Sequence, residues 1–335
     1  MQRVRLLVSQ LIFLLACVAA QAAGPSGSNN LLLLGVSAPG INANPPSNYQ
    51  GPGDIVAAGA WYGLRAYNNV LANAGATTTP VIDVRGATTA TSCTIFLLGN
   101  GTGNLDLTTA GSGSVGNQCL LGATTFCTVT NTSCTVSKIY DQSSGLLCTT
   151  SCPLSQGTTG AQPTLTFNCI NTSLPCLTGA GGQGLINSSF SSSIGTPNTQ
   201  ASVASRTGAF TSTGAITSTA GAQFRFTTST NTVQIVTTGA TLNATAADSA
   251  AHAFMAVTFA SGTNSVIYVD NTATSGNLTT AGSNKILAIM MNYVGGENMT
   301  GYWMEGGLWE TNLTSGNASS MCHNQFTYWA TSTSC

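Results

Sequence analysis

The chain has 335 residues, of which only 5% are charged, and its formal net charge at neutral pH is −1. So small a net charge gives no electrostatic attraction to nucleic acid or to anionic membranes, and neither is expected as a partner. Aromatic and β-branched residues recur among the many Thr, Ser, Asn and Gly residues, so the chain can bury a hydrophobic core.

Residues 1–23 are predicted to be a secretory signal peptide. Two arginines near the start precede an apolar core, Leu6–Val18, and a small-residue cleavage region, Ala19–Ala23. The apolar run is too short to be a stable membrane span. A second interpretation, a bacterial lipoprotein signal that ends at Cys17, stays open. In both cases we expect an exported protein, which is secreted or, in a bacterium, periplasmic or attached to the cell surface.

The next two segments differ in their patterns. Residues 24–50 are rich in Pro, Gly, Ser and Asn and are predicted to form a flexible linker. Aromatic and leucine side chains then recur at helical spacing from Trp61 to Leu71. This spacing predicts one amphipathic helix over Ala57–Ala72, the only good one in the chain.

Short segments that alternate apolar and polar side chains dominate the rest of the chain. Examples are residues 81–84, 94–97, 233–236, 254–257 and 266–269, which are separated by turns rich in Gly and Asn. Many short strands with almost no helix are typical of a β-sandwich. We therefore predict that residues 51–335 form one all-β domain, a lectin-like (concanavalin-type) jelly-roll β-sandwich with one short helix near its N-terminus.

The cysteine count indicates disulfide bonds. Loss of Cys17 with the signal peptide leaves ten of the eleven cysteines, an even number in an exported chain. Local pairing would join residues 93–119, 127–134, 148–152, 169–176 and 322–335, but the sequence leaves other connectivities open. The cysteines form no paired C-x-x-C groups and His252 is far from His323 in sequence, so we predict no metal site and no cofactor.

Three sequence blocks follow one another in an informative order. The first, Gly51–Gly59, reads Gly-Pro-Gly-Asp-Ile-Val-Ala-Ala-Gly, and the second, Thr125–Ser143, ends in Ile-Tyr-Asp-Gln-Ser. The third contains Gly-Gly-Glu-Asn at Gly295–Asn298 and Gly-Tyr-Trp-Met-Glu-Gly at Gly301–Gly306. In this order the blocks resemble the catalytic domain of the secreted α-L-arabinofuranosidase B family. Gly53 stands where that family has a cysteine.

The resemblance implies a glycoside hydrolase of the retaining type, which needs two carboxyl groups about 5–5.5 Å apart. Glu297 stands at the position of the family's acidic aspartate, which implies that it is the general acid. A carboxyl group can serve as an acid when burial or a neighbouring charge raises its pKa. A turn glutamate without catalytic function is the other interpretation of Glu297. The resemblance also implies a disulfide between Cys127 and Cys134.

The nucleophile is not identified. The family takes it from a glutamate in an Ala-Asp-Leu-Glu-Asn strand, but this chain has no Asp or Glu between Gln142 and Ala247. The best counterpart of that strand is Ala222–Phe226, which carries an arginine instead. The nearest acids, Asp248 and Asp270, are better explained as loop and turn residues.

Five further residues are predicted to contact the sugar: Asp141, Asn292, Asn298, Trp303 and Glu305. Structural alternatives exist for three of them. Asp141 follows a strand and has a second interpretation as an acceptor for loop amides. Trp303 has one as a core residue, and Glu305 as a solvent-facing strand residue. Arg65 is expected to pair with a buried acid such as Asp54.

The sequence therefore supports two functional hypotheses. The first is a secreted α-L-arabinofuranosidase-like glycoside hydrolase that acts on arabinose-containing polysaccharides in L-arabinose metabolism. The second is a non-catalytic module of the same fold that binds carbohydrate or serves as a structural surface domain. Both imply a glycan partner. A Ser-His-Asp hydrolase is not expected, because the chain has no Gly-x-Ser-x-Gly motif and His252 lies beside an apolar strand start.

Overall fold

The structure is a computed structural model, and the chain divides into two compact units, residues 1–43 and 44–335. The described residues, all in the second unit, are 48–75, 78–88, 91–107, 125–130, 133–143, 145, 147, 152–169, 174–207, 213–219, 221–228, 232–246, 251–258, 263–279, 285–331 and 335. The predicted signal peptide, most of the predicted linker and Asp248 lie outside them.

Within these ranges the chain forms eighteen strands, and every pairing between them is antiparallel. The strands are β1 Ala60–Gly63, β2 Pro80–Gly86, β3 Ser92–Phe96, β4 Cys134–Ile139, β5 Leu154–Ser155, β6 Thr164–Thr166, β7 Cys176–Ala180, β8 Leu185–Asn187, β9 Asn198–Arg206, β10 Gly214–Ser218, β11 Ala222–Phe226, β12 Thr232–Thr237, β13 Ala240–Thr245, β14 His252–Thr258, β15 Ser265–Val269, β16 Thr272–Gly276, β17 Leu287–Ile289 and β18 Thr300–Trp309. The predicted all-β sandwich of jelly-roll type is confirmed.

The strands follow two runs of neighbours. One run is β16-β15-β14-β9-β18, where the second edge of β18 pairs with β7 near its start and with β1 near its end. The other run is β13-β12-β11-β10-β17-β8-β5-β4-β2-β3. The short strand β6 joins the two runs by pairing with β7 and β4, so the sheet is nearly closed.

Strand alternation positions the candidate site. On β11, Phe224 and Phe226 are buried, whereas Gln223 and Arg225 point to the opposite face and stay partly exposed. On β12 the residues also alternate between buried and partly exposed. Because successive side chains of a strand point to opposite faces, the apolar residues fill the core while polar residues collect on the other face.

The core has two parts. The larger part contains Phe224, Phe254 and Trp303, and the smaller contains Trp61, Trp309 and Met321. Met321 belongs to the helix α2, Ser315–Trp329, which packs against β14. Because α2 covers the face of the sheet that points away from the larger core, β9 and β14 are buried along their whole length.

The helices differ from the sequence prediction. The predicted helix over Ala57–Ala72 is wrong, because its first half forms β1 and only Asn69–Ala72 is helical, as α1. All four residues of β1 are buried and pair with Glu305–Leu308 of β18, so tertiary pairing overrides the helical spacing. The sequence analysis missed α2, whose Thr314 N-cap bonds the Asn317 amide at 3.2 Å.

The described residues contain the disulfides Cys127–Cys134, Cys169–Cys176 and Cys322–Cys335. All three occur in the local pairing scheme. Cys93 and Cys152 are also disulfide-bonded. None of the described helices is long and apolar enough to span a bilayer. Nor does this part of the chain bring three His, Cys, Asp or Glu side chains together as a metal-binding group.

Candidate functional site

The loop between β17 and β18 holds Glu297 in a defined position. The Asn292 side chain accepts hydrogen bonds from the amides of Val294, at 3.2 Å, and Gly296, at 2.7 Å. The Asn292 amide in turn donates to the Gly296 carbonyl at 2.9 Å. Glu297 then adopts a φ of +47°, and its carbonyl accepts from the Ala215 amide at 2.7 Å. These hydrogen bonds therefore fix the backbone of the loop that carries Glu297.

The Glu297 carboxylate contacts side chains from several elements. Arg225 donates from Nη1 to Oε1 at 2.7 Å and forms an ion pair with Glu297. Thr213 donates its hydroxyl to Oε1 at 3.2 Å, and Asn292 donates to Oε2 at 3.4 Å. Gln223 also donates to Oε2. Among the described residues, none of the side chains in contact with Glu297 is a second carboxyl group.

This environment stabilises the ionised form of Glu297. Partial burial alone would raise the pKa of the carboxyl group. The hydrogen bond from Gln223, the charge of Arg225 and the bonds from Thr213 and Asn292 outweigh burial, so the pKa of Glu297 lies below its usual value. The side chains of Glu297 and Arg225 remain 31% and 19% exposed, so a ligand can reach both.

A row of polar side chains extends from the ion pair across three strands. Arg225 on β11 lies opposite Gln234 on β12, which lies opposite Asn243 on β13. Arg225 donates from Nε to the Gln234 carbonyl oxygen at 2.9 Å, and Gln234 donates to Asn243 Oδ1 at 2.8 Å. These bonds orient the guanidinium group toward Glu297 and leave amide groups along the same face.

A pocket of about 180 Å³ adjoins this cluster. Gln223, which bonds Glu297, is one of its walls, and Tyr293 from the Glu297 loop is another. Thr219, Thr237 and Thr238 contribute hydroxyl-bearing side chains to the lining. The volume is below the roughly 300–1,000 Å³ of pockets that hold drug-sized ligands, so it suits one small ring. The site thus combines an ion pair, amides, hydroxyls and one aromatic side chain.

Two of the residues predicted to contact the sugar lie beside Glu297. Asn292 donates a hydrogen bond to the Glu297 carboxylate, and Asn298 is the residue after Glu297 in the chain. Asn298 is partly exposed, but its Oδ1 atom is buried and accepts no hydrogen bond within the described structure. The loop therefore brings together three of the six residues assigned to the site from sequence.

Asp141 lies in a different loop. Its Oδ1 accepts from the Trp61 amide at 3.0 Å and from the amide and hydroxyl of Ser143 at 2.9 and 2.8 Å. Burial raises the pKa of Asp141, although these hydrogen bonds oppose the shift. These contacts match the alternative in which Asp141 is an acceptor for loop amides.

Trp303 and Glu305 were predicted to contact the sugar, but both lie in the interior. They belong to the stretch of β18 from Trp303 to Trp309, in which every residue is buried. Glu305 forms a fully buried two-bond ion pair with Arg65, at 2.6 and 2.8 Å. The expected partner Asp54 is wrong, since Asp54 accepts from the backbone amides of Gly51 and Asn69. Asp270 also has a structural partner, the buried His252.

The sequence analysis did not identify Thr213, Gln223, Gln234, Asn243 and Tyr293 as site residues. Three of them carried a usable signal, because Gln223, Gln234 and Asn243 are the polar positions of alternating strands. The alternation alone does not show that these three residues share one face of the sheet, because that depends on the strand register. Thr213 and Tyr293 lie in loops and carried no pattern.

Solved structures share this fold. A crystal structure of an arabinofuranosidase complexed with arabinofuranosyl-α-1,2-xylobiose matches with a TM-score of 0.56 at 12% identity, over 83% of this chain and 65% of that chain. A GH54 α-L-arabinofuranosidase soaked with a cyclic sulfate inhibitor, and a mutant soaked with 4-nitrophenyl α-L-arabinofuranoside, each give a TM-score of 0.58 at the same identity and coverage. This chain thus spans 65% of the length of these proteins. No family model and no curated protein sequence matches it.

Proposed function

We propose that this protein is an exported β-sandwich that binds arabinose-containing polysaccharide at Glu297 without cleaving it. The observation that carries the proposal is the ion pair between Arg225 and Glu297. Arg225 lies on Ala222–Phe226, the best counterpart of the strand from which the arabinofuranosidase B family takes its nucleophile. If this correspondence holds, the strand that would supply the second carboxylate places a cation beside Glu297.

The chemistry of glycoside hydrolysis explains why this substitution matters. Retaining enzymes hold two carboxyl groups about 5–5.5 Å apart, and inverting enzymes hold them about 6.5–9.5 Å apart. One group must also be protonated to serve as the acid, which requires a raised pKa. The pKa of Glu297 is instead lowered by Gln223 and Arg225, so the group is ionised at neutral pH. An ionised Glu297 accepts hydrogen bonds from sugar hydroxyls but donates no proton.

The same groups suit sugar recognition. Carboxylate, guanidinium, amide and hydroxyl groups together supply donors and acceptors for the hydroxyls of one sugar ring. Tyr293 adds an apolar surface for the C–H groups of the ring. Arabinose as the sugar is supported by the likeness to arabinofuranosidases, and export by the three disulfides together with the sequence of residues 1–23.

A second candidate function is hydrolysis of arabinofuranosides with Glu297 as the general acid. The fold favours this candidate, because structures at TM-scores of 0.56–0.58 are arabinofuranosidases, one of them complexed with an arabinofuranosyl ligand. It requires a nucleophilic carboxylate that approaches Glu297. Asp248, the first acid after the acid-free stretch, lies outside the described residues.

Two measurements on the same protein separate these functions. Calorimetry measures binding of arabinofuranosyl-α-1,2-xylobiose, and nitrophenol release measures turnover of 4-nitrophenyl α-L-arabinofuranoside. We expect binding without release above the buffer rate. Glu297→Gln should change affinity by less than about threefold, because the amide keeps an acceptor oxygen. Glu297→Ala should weaken binding about tenfold or more, because it removes the acceptor oxygen altogether.

Asp83→Ala is the matched control, because Asp83 is another partly buried carboxylate, paired with Lys138 at 3.2 Å. It should leave sugar binding unchanged. Nitrophenol release by the wild type that disappears in Glu297→Gln would establish the hydrolase and reject the proposal. A Glu297→Ala variant that binds as tightly as Asp83→Ala would reject Glu297 as the binding residue.

A further inference from the structure

A second pocket lies at the other end of β18. The strand begins at Thr300, three residues after Glu297, and it ends at Trp309, which lines this pocket. A strand rises about 3.3 Å per residue, so ten residues separate the Glu297 site from the second pocket by about 30 Å. The two pockets are therefore separate features held apart by one continuous strand.

The size and walls of this second pocket suit a ligand. Its volume is about 510 Å³, within the roughly 300–1,000 Å³ typical of pockets for small molecules. Tyr67 and Trp309 supply aromatic side chains, and Trp61 packs against both, with ring centroids 6.0 and 5.9 Å apart. These packed aromatic residues belong to the smaller core, so the pocket rests on a rigid base.

Three polar groups around the second pocket have no partner within the described structure. The Glu310 carboxylate is exposed and makes neither a hydrogen bond nor an ion pair there. The Thr311 hydroxyl makes no bond, although its carbonyl accepts from Thr199 at 2.8 Å. Asn68 accepts from the Leu71 amide at 2.9 Å through Oδ1, and its NH₂ group stays unused. An acceptor, a hydroxyl and a donor thus line one pocket.

We propose that this pocket is a second binding site for a neutral sugar residue of the same polysaccharide. The carboxylate, hydroxyl and amide match the hydroxyl groups of a sugar, which both donate and accept hydrogen bonds. Among the residues that the structure describes, no lysine or arginine lines the pocket, so it offers no cation to an acidic ligand. The choice of sugar as the ligand class rests on the proposed function, whereas the pocket and its unused polar groups do not.

Two sites on one rigid strand have a consequence for affinity. A glycan long enough to reach both sites binds the second one intramolecularly, at a high effective concentration. One molecule of a short oligosaccharide is too short to reach both sites, so each site binds a separate molecule. We therefore expect arabinoxylan polymer to bind at least about 100-fold more tightly than arabinofuranosyl-α-1,2-xylobiose. Loss of either site should remove this advantage.

Nuclear magnetic resonance of the ¹⁵N-labelled protein tests the second site separately from the first. The Trp309 indole N–H and the Asn68 side-chain NH₂ report on the second pocket, and the Gln223 side-chain NH₂ reports on the Glu297 site. We expect both sets of resonances to shift on titration with arabinofuranosyl-α-1,2-xylobiose. In Glu310→Ala the midpoint for Trp309 and Asn68 should rise about tenfold, while the midpoint for Gln223 stays unchanged.

The outcomes separate the two proposals. Trp309 and Asn68 resonances that stay fixed while Gln223 titrates would overturn the second site and leave the proposed function intact. The second site is likewise overturned if their midpoint is unchanged in both Glu310→Ala and Thr311→Val. A response at Trp309 and Asn68 alone would support the second site and overturn sugar binding at Glu297. No response at any of these groups, with either the oligosaccharide or the polymer, would overturn both.

Discussion

At the scale of single residues, Glu297 has more partners than a turn glutamate needs. Its left-handed backbone, at φ +47°, is uncommon for a residue with a long side chain and costs of order 1 kcal/mol or more. The carboxylate is nevertheless held by Arg225, Gln223, Thr213 and Asn292. A strained, partly exposed carboxylate with four side-chain partners is typical of a functional site.

Replacement of Arg225 should raise the pKa of Glu297. In Arg225→Gln the positive charge is gone while partial burial remains, so the pKa of the carboxyl should rise. A ¹³C-detected titration of the Glu297 side chain measures this directly. Arg85→Gln, on β2, is the matched control and should leave the titration unchanged. An unaltered pKa in Arg225→Gln would mean that the ion pair does not govern the charge of Glu297.

Asp141 has the opposite shift and predicts a different mutant effect. Its raised pKa means that the folded state binds the proton more tightly, so stability falls as pH rises from the unfolded value of about 3.9 through the folded one. All three of its hydrogen bonds go to Oδ1, which asparagine retains. Asp141→Asn should therefore raise the free energy of unfolding at pH 7, and the gain should disappear below about pH 4.

Urea denaturation at pH 7 and at acidic pH measures the effect of Asp141→Asn. Asp141→Ala serves as the comparison, because it removes all three hydrogen bonds and should cost about 1–3 kcal/mol. If Asp141→Asn is as destabilising as Asp141→Ala at pH 7, the carboxylate charge itself supports the loop and our prediction is wrong.

At the scale of secondary-structure elements, one buried ion pair joins three of them. Arg65 follows β1, Glu305 lies on β18, and Asn324 on α2 accepts from Arg65 at 2.6 Å. Tyr328, also on α2, places its ring 4.6 Å from the guanidinium group. These contacts hold α2 to the sheet beside β1 and β18, two paired strands that lie far apart in the sequence.

Neutralisation of Glu305 should therefore destabilise the whole sandwich. Glu305→Gln leaves the Arg65 charge fully buried without its counter-charge, and such a change typically costs about 3–5 kcal/mol. Glu310→Gln, at an exposed position on the same chain segment, should stay within about 0.5 kcal/mol of the wild type. Guanidinium denaturation of both variants makes the comparison. A loss below about 1 kcal/mol in Glu305→Gln would contradict the assigned role of the pair.

The elements also show what sequence reasoning could and could not predict. Alternation identified β12 and β15, because buried and exposed side chains alternate along a strand that has one face in the core. The same method failed at Ala57–Ala72, where helical spacing arose within a strand whose pairing partner lies far along the chain. The contact of Arg225 with Glu297 spans 72 residues, and that of Arg65 with Glu305 spans 240. Such pairs depend on strand register, which a single sequence does not specify.

At the scale of the whole molecule, disulfide bonds constrain a chain that has 38 glycines and only 5% charged residues. Cys322–Cys335 ties the last residue to α2, and Cys127–Cys134 closes a loop at the start of β4. Closing a loop of that size stabilises a fold by roughly 2–3 kcal/mol in the chain-entropy model. Disulfides of this kind persist in oxidising compartments, so fold and compartment are linked.

The predicted export makes the oxidation state of the chain testable. The sequence has eleven cysteines, and removal of residues 1–23 takes away Cys17 and leaves ten. Because all eight described cysteines are disulfide-bonded, we expect all ten to be paired. Thiol titration of secreted protein under denaturing conditions should then detect no free thiol, and the intact mass should match a chain that begins near Gly24.

The same protein reduced before titration is the control and should give ten thiols. Two or more free thiols in the secreted form, or retention of residues 1–23, would contradict the predicted export and pairing.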